Sequence, residues 1–245
     1  MADLLGLIGF GSFLAVSLAV GIRLLLLARR TRMLPELAIG LELLLAGAIG
    51  YGLLLAAESL QLFAESHAGW ASFAGVSAIS VGSGFLALFS CRVFRPDSAA
   101  ARAALMLLVI WLGFGVYGSW VLHVSRISYG IGGWLGSWAP NLGLLAAYGW
   151  ASCEPLHYQM QLRRRARIGI DSGDPLVANR MLLWGMGTGA IASVTLLHLA
   201  AQLLGHYELP PSLVGVVSLL ALVAAVSEWL AFFPPRAYRQ RFVRI

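Results

Sequence analysis

The sequence predicts an all-α integral membrane protein, a bundle of seven transmembrane helices with its N-terminus outside and its C-terminus in the cytoplasm. Three observations lead there. First, 59% of the 245 residues are hydrophobic and only 11% are charged, too little polar material to cover a soluble surface. Second, apolar runs of about 20 residues recur seven times, the length a helix needs to cross a hydrocarbon core that leaves an open backbone without hydrogen-bond partners. Third, the arginines gather in alternate connections between those runs, as they do where positive flanks are retained in the cytoplasm.

The first span, residues 4–27, has Asp3 before it and Arg29, Arg30 and Arg32 after it. That charge order is the reverse of a secretion signal, so the segment is expected to stay as a helix. The second span, 37–57, follows Pro35, carries Glu42 and ends at Glu58. The third, 71–91, runs into Cys91, Arg92 and Arg95, and Arg102 precedes the fourth, 104–124, which ends on His123 and Arg126. The fifth, 132–151, contains Pro140 and continues past Pro155 as an amphipathic stretch into Arg163, Arg164, Arg165 and Arg167. Residues 156–180 are the longest cytoplasmic loop, turned at 169–175 by Gly169, Asp171, Gly173, Asp174 and Pro175. The sixth span, 181–204, and the seventh, 212–233, lead to an arginine-rich cytoplasmic tail, 236–245. All arginines except Arg126 and the intrahelical Arg23 then fall on one side. No six- or eight-span alternative separates the charge as well.

All 17 positive charges are Arg, against 11 acids, for a net +6. A soluble protein with that balance suggests nucleic acid; here the basic groups flank membrane spans, so anionic lipid headgroups are the expected partner and nucleic acid is not. Without a lysine, neither Schiff-base chemistry nor a P-loop is available. Cys91 and Cys153 fall at ends on the reducing side, and no disulfide is expected. A weak internal repeat relates spans one to three with five to seven: RRTR at 29–32 matches RRAR at 164–167, and FLALFSCRVF at 85–94 matches WLAFFPPRAY at 229–238. The fourth span is then a linker.

Ionisable groups inside a bilayer cost roughly 2.5–3.5 kcal/mol on insertion scales and therefore need partners. Arg23, Glu42 and Glu228 lie at similar depth, about 9–10 Å from the cytoplasmic ends of spans one, two and seven. They are expected to form one charged cluster facing the bundle interior, with Glu154 and His157 at or just below it: a substrate or ion site, or otherwise an inter-helix salt bridge. Asn141 joins the candidates, because Pro140 frees a carbonyl that an amide or a substrate can occupy. An outer polar cluster is expected from Glu58, His123, Arg126, His198, Gln202 and His206, the last three at i, i+4 and i+8 on one helix face. A metal drawn from His67, Glu58, His198 and His206 requires several helices to converge without any HExxH-type signature, so neither metal nor cofactor is expected.

No GxSxG elbow, Ser-His-Asp order or paired HxxxH marks an enzyme. Seven spans with this orientation are also the arrangement of microbial rhodopsins, heptahelical receptors and sugar facilitators, but no residue motif assigns the chain to any of them. The expected function is a small-molecule or ion transporter of the cytoplasmic membrane with a polar site between helices. The alternative is a receptor-like sensory protein that binds a ligand and signals through a cytoplasmic partner protein.

Overall fold

The computed structural model describes residues 2–168, 175–205 and 211–236, together with 238 and 240. Among them seven long helices and no β-strand follow one another: α1 Ala2–Thr31, α2 Leu34–Ser59, α3 Glu65–Phe94, α4 Ala99–Val124, α5 Gly130–Arg167, α6 Pro175–Leu203 and α7 Pro211–Phe232. Six are long and apolar enough to cross a membrane. Large apolar side chains lie on the outside along the middle of the helices, such as Leu107 at 68% and Leu219 at 61% exposure, a surface that only lipid suits. The chain is an all-α, multi-pass membrane bundle.

The exception on hydropathy is α5, whose apolar half is diluted by Gly133, Ser137, Pro140 and Asn141. It packs against α3, α4 and α6 at once. A helix so enclosed needs small residues for close approach more than it needs lipid-facing bulk. Gly136 of α5 meets the carbonyl of Gly118 in α4, and a side chain at either position runs into the other backbone.

The helices outrun the apolar stretches that predict them. Within the segment expected as the 156–180 loop, the helical continuation expected past Pro155 runs to Arg167, and α6 begins earlier than expected, at Pro175, where a proline costs no helical hydrogen bond. The turn expected there lies, apart from Pro175, outside the described residues. So do Arg239, Arg241 and Arg244 of the tail.

Two helices depart from α geometry. In α2 the turns Leu43–Gly50 and Leu55–Ser59 are π-helical, and α4 ends in a π segment, Trp120–Val124. Such widened turns concentrate at functional sites.

Neighbours in sequence pack together all round the bundle, α1 closes on α7, and α3 also packs on α5. The main core, including Leu43, Leu86, Tyr148, Trp184 and Ala224, draws on every helix but α4. Leu108 and Leu112 of α4 instead form a small separate core with Ala87 and Ala147. The inner ring is thus six helices, α1–α3 and α5–α7. A two-fold exchange of these triplets interchanges the α1–α7 and α3–α5 contacts, the packing that the expected repeat with α4 as linker calls for.

Candidate functional site

Two polar levels stack inside the ring. The first lies toward the arginine-poor end, where a cavity of about 330 Å³ is lined by Glu58, His123, Asn141, His198 and Gln202, among others. The expected outer cluster thus gathers on one cavity, and Asn141 joins it from α5. Two members do not take part as expected. The Arg126 guanidinium donates to the Glu65 carbonyl at 3.3 Å, and Arg126 does not line the cavity. His206 lies outside the described residues.

Local rules account for the lining. His198 and Gln202 are one helical turn apart on α6, and the His198 ring shares a 3.0 Å hydrogen bond with the Val194 carbonyl. The amides of Asn141 and Gln202 both donate to the Ser137 carbonyl, at 3.3 and 3.4 Å. That carbonyl is one residue beyond Gly136, whose hydrogen bond Pro140 removes, so Asn141 serves the neighbour of the freed oxygen and not the freed oxygen itself. The Gln202 amide oxygen is buried without a partner among the described residues. Tyr51, Ile79, Leu144 and Thr195 lie deeper along the lining.

The second level is one to two turns further in. Glu42 and Glu228 are only 2% and 1% exposed, and both face the interior, as expected. The Tyr148 hydroxyl donates to Glu42 Oε1 at 2.7 Å. Among the described residues Glu42 Oε2 and Glu228 Oε2 have no partner, nor have the buried hydroxyls of Ser17 and Ser83. The two carboxyls are close enough to feel each other's charge, and Tyr51 lies in the field of Glu42. The side chain of Glu228 runs along Gly187 of α6, and the Glu42 backbone lies against Gly82 of α3. The glycines supply the room.

The expected ion pairing with Arg23 is not formed. Arg23 is exposed, its guanidinium 4.2 Å above the Phe233 ring and 3.5 Å from the Phe232 carbonyl. Similar depth did not bring the groups together, because an arginine at a lipid-facing position snorkels along the aromatic end of α7 rather than turning inward. Glu154 is also not part of the cluster: Arg95 Nε donates to both its carboxylate oxygens, at 2.9 and 3.1 Å, and Trp150 donates to it from the same helix. This carboxylate raises the pKa of Arg95 above its usual value, through the hydrogen bond first and charge second. His157 shares a 2.9 Å hydrogen bond with Gln161 next to that pair.

Between the deep carboxyls and the arginine-rich end lies an aromatic layer that sequence reading missed. Trp184 of α6 is edge-on to Phe89 of α3 at 6.2 Å and to Phe232 of α7 at 5.5 Å. In the repeated segments Phe89 falls opposite Phe233, whereas the residue that meets Trp184 is Phe232, so the repeat did not pick out the layer. Beyond this layer each junction between the two triplets is held by an arginine, α3–α5 by Arg95 on Glu154 and α7–α1 by Arg23 on Phe232 and Phe233.

Comparison of the chain with protein-family models, with curated proteins and with solved structures found no match. The geometry of the two levels therefore carries the functional argument. Among the described residues no group of three or more His, Cys, Asp and Glu is gathered as a metal centre would be. The vestibule offers amide, imidazole and carboxylate groups for holding a polar molecule. The deep level offers two acidic groups with open acceptor positions in an apolar surround, an arrangement that calls for a proton or a cation.

Proposed function

We propose that the chain is a seven-span transporter or permease of the cytoplasmic membrane, N-terminus outside, for a small polar solute or ion. The carrying observation is the stacking of an accessible polar vestibule over two buried, incompletely partnered carboxyls, with an aromatic layer and two arginine contacts closing the far end. A binding protein needs only the vestibule. Uncompensated acids in the middle of a bundle cost free energy, and moving charge past them is a reason to keep them. In this reading the arginine-rich end is cytoplasmic, the vestibule faces outside, and the described conformation is closed toward the cytoplasm. Anionic lipid headgroups meet the arginines at that face.

One observation favours the receptor reading: α5 is 38 residues, about 57 Å of helix, so its Arg163–Arg167 end projects well past a core of roughly 30 Å and offers a surface to a cytoplasmic protein. Reconstitution separates the two. A transporter gives protein-dependent solute flux into proteoliposomes that Glu228→Gln alters. Ligand binding with no flux of any solute, together with copurification of a cytoplasmic protein, would establish the sensor instead.

A further inference from the structure

Resting on the transporter reading, the charge and hydrogen bonding of the two levels narrow what is carried. Among the described residues the vestibule is lined by Glu58 together with the imidazoles of His123 and His198, and by no arginine. Glu58 stands in the vestibule and Glu42 and Glu228 below it, whereas the one described arginine at that end, Arg126, is spent on the Glu65 carbonyl and does not line the cavity. An anion at these two levels meets carboxyl groups and, among the described residues, no arginine to pair with. A cation meets hydrogen-bond acceptors at both levels, with Tyr51 along the way.

The surroundings of the deep pair leave its charge unmatched. Glu42 is faced by Tyr51 from its own helix, by Tyr148 from α5 and by Glu228 from α7. α1 contributes the Ser17 hydroxyl against Gly47, and its Arg23 is turned away to Phe232 and Phe233. From α3 come Gly82 against α2 and, nearer the arginine-rich end, the buried thiol of Cys91; from α6 come Gly187 and Thr188. None of these is a cation. Among the described residues the hydrogen bond from Tyr148 satisfies one of the four carboxyl oxygens, so the pair has to be neutralised by something that arrives from solution.

We propose that the Glu42–Glu228 pair is a cation-exchange site at which a monovalent organic cation, an ammonium small enough for the vestibule, replaces a proton. The exchange is one for one: the carboxyl releases its proton to solution as the ammonium takes its place, and the carboxyl reprotonates when the ammonium leaves on the other side. No bond to carbon is made or broken, and the charge inside the apolar ring is the same before and after. A cavity of about 330 Å³ is at the small end of ligand pockets. Amides of Asn141 and Gln202 suit any polar substituent the cation carries.

Choline and benzyltrimethylammonium are suitable probes, because they are permanent cations and cannot cross lipid as free bases. In proteoliposomes of the full chain with the membrane potential clamped, an acidic interior should drive their accumulation toward about tenfold per pH unit, the limit for one-for-one exchange. Detergent-purified wild type should release protons into weakly buffered solution when choline is added. This second measurement needs no variant. Glu228→Gln and Glu42→Gln should abolish gradient-driven accumulation, and Glu228→Asp should retain part of it. Cation uptake indifferent to the pH gradient and to both substitutions overturns the exchange. Protein-dependent flux of benzoate or glycerol with both cations inert also overturns it, while leaving the transporter reading in place. If no solute moves at all, the transporter reading itself fails.

Discussion

At the scale of single residues, the Tyr148–Glu42 hydrogen bond is, among the described residues, the only one on the deep carboxyls, and it joins α5 to α2 across the interior. Removing the hydroxyl leaves a buried carboxyl with no partner, which costs about 1–3 kcal/mol. Tyr148→Phe should therefore lower the unfolding midpoint of the detergent-solubilised protein. In the Glu42→Leu background the same substitution should cost much less, because nothing remains to be satisfied. Equal losses in both backgrounds would mean that the bond contributes nothing. Arg23 shows the limit of reading depth alone: it is exposed and reaches the Phe232 carbonyl, one turn beyond Glu228, which faces the core.

At the scale of helices, α2 explains how groups spread along one element come to share a face. At about 100° per residue, the nine residues from Glu42 to Tyr51 would place them on opposite sides of an α-helix. The π-helical turns of Leu43–Gly50 rotate less per residue and bring Tyr51 round toward the side of Glu42. The crossing of α4 and α5 depends on absent side chains, so Gly136→Leu should force the helices apart and destabilise the protein by about 1–3 kcal/mol, measurable by thermal unfolding. The Arg95–Glu154 contact holds the arginine-rich ends of α3 and α5 together. Cys153 is exposed and Cys91 buried one turn before Arg95. A thiol reagent should thus label Cys153 alone in the wild type and reach Cys91 as well in Arg95→Gln. The exchanged pair Arg95→Glu with Glu154→Arg should protect Cys91 again; protection that persists in Arg95→Gln alone would show that the ion pair does not hold this end closed.

At the scale of the molecule, orientation can be tested independently of function. On a background lacking Cys91 and Cys153, an impermeant thiol reagent applied to intact cells should label Ser66→Cys and leave Arg164→Cys unlabelled until the membrane is opened. The reverse pattern would place the vestibule on the cytoplasmic face. Helical class, apolar helices long enough to cross a membrane and the arginine asymmetry were legible in the sequence, because lipid imposes a length and a hydropathy on a span wherever its neighbours lie. So was the inward orientation of Glu42 and Glu228, since burial in protein is the cheaper way to keep a carboxyl at that depth. What only the tertiary structure decided is which groups meet: that Glu58, His123, Asn141, His198 and Gln202 share one cavity, that Tyr148 reaches Glu42, that Arg95 takes Glu154, and that Trp184 lies between Phe89 and Phe232. Apolar runs fix how deep a residue sits but not the direction it faces. Rotation about each helix axis follows from glycine contacts, π turns and the packing of neighbours, and these exist only once the ring has closed.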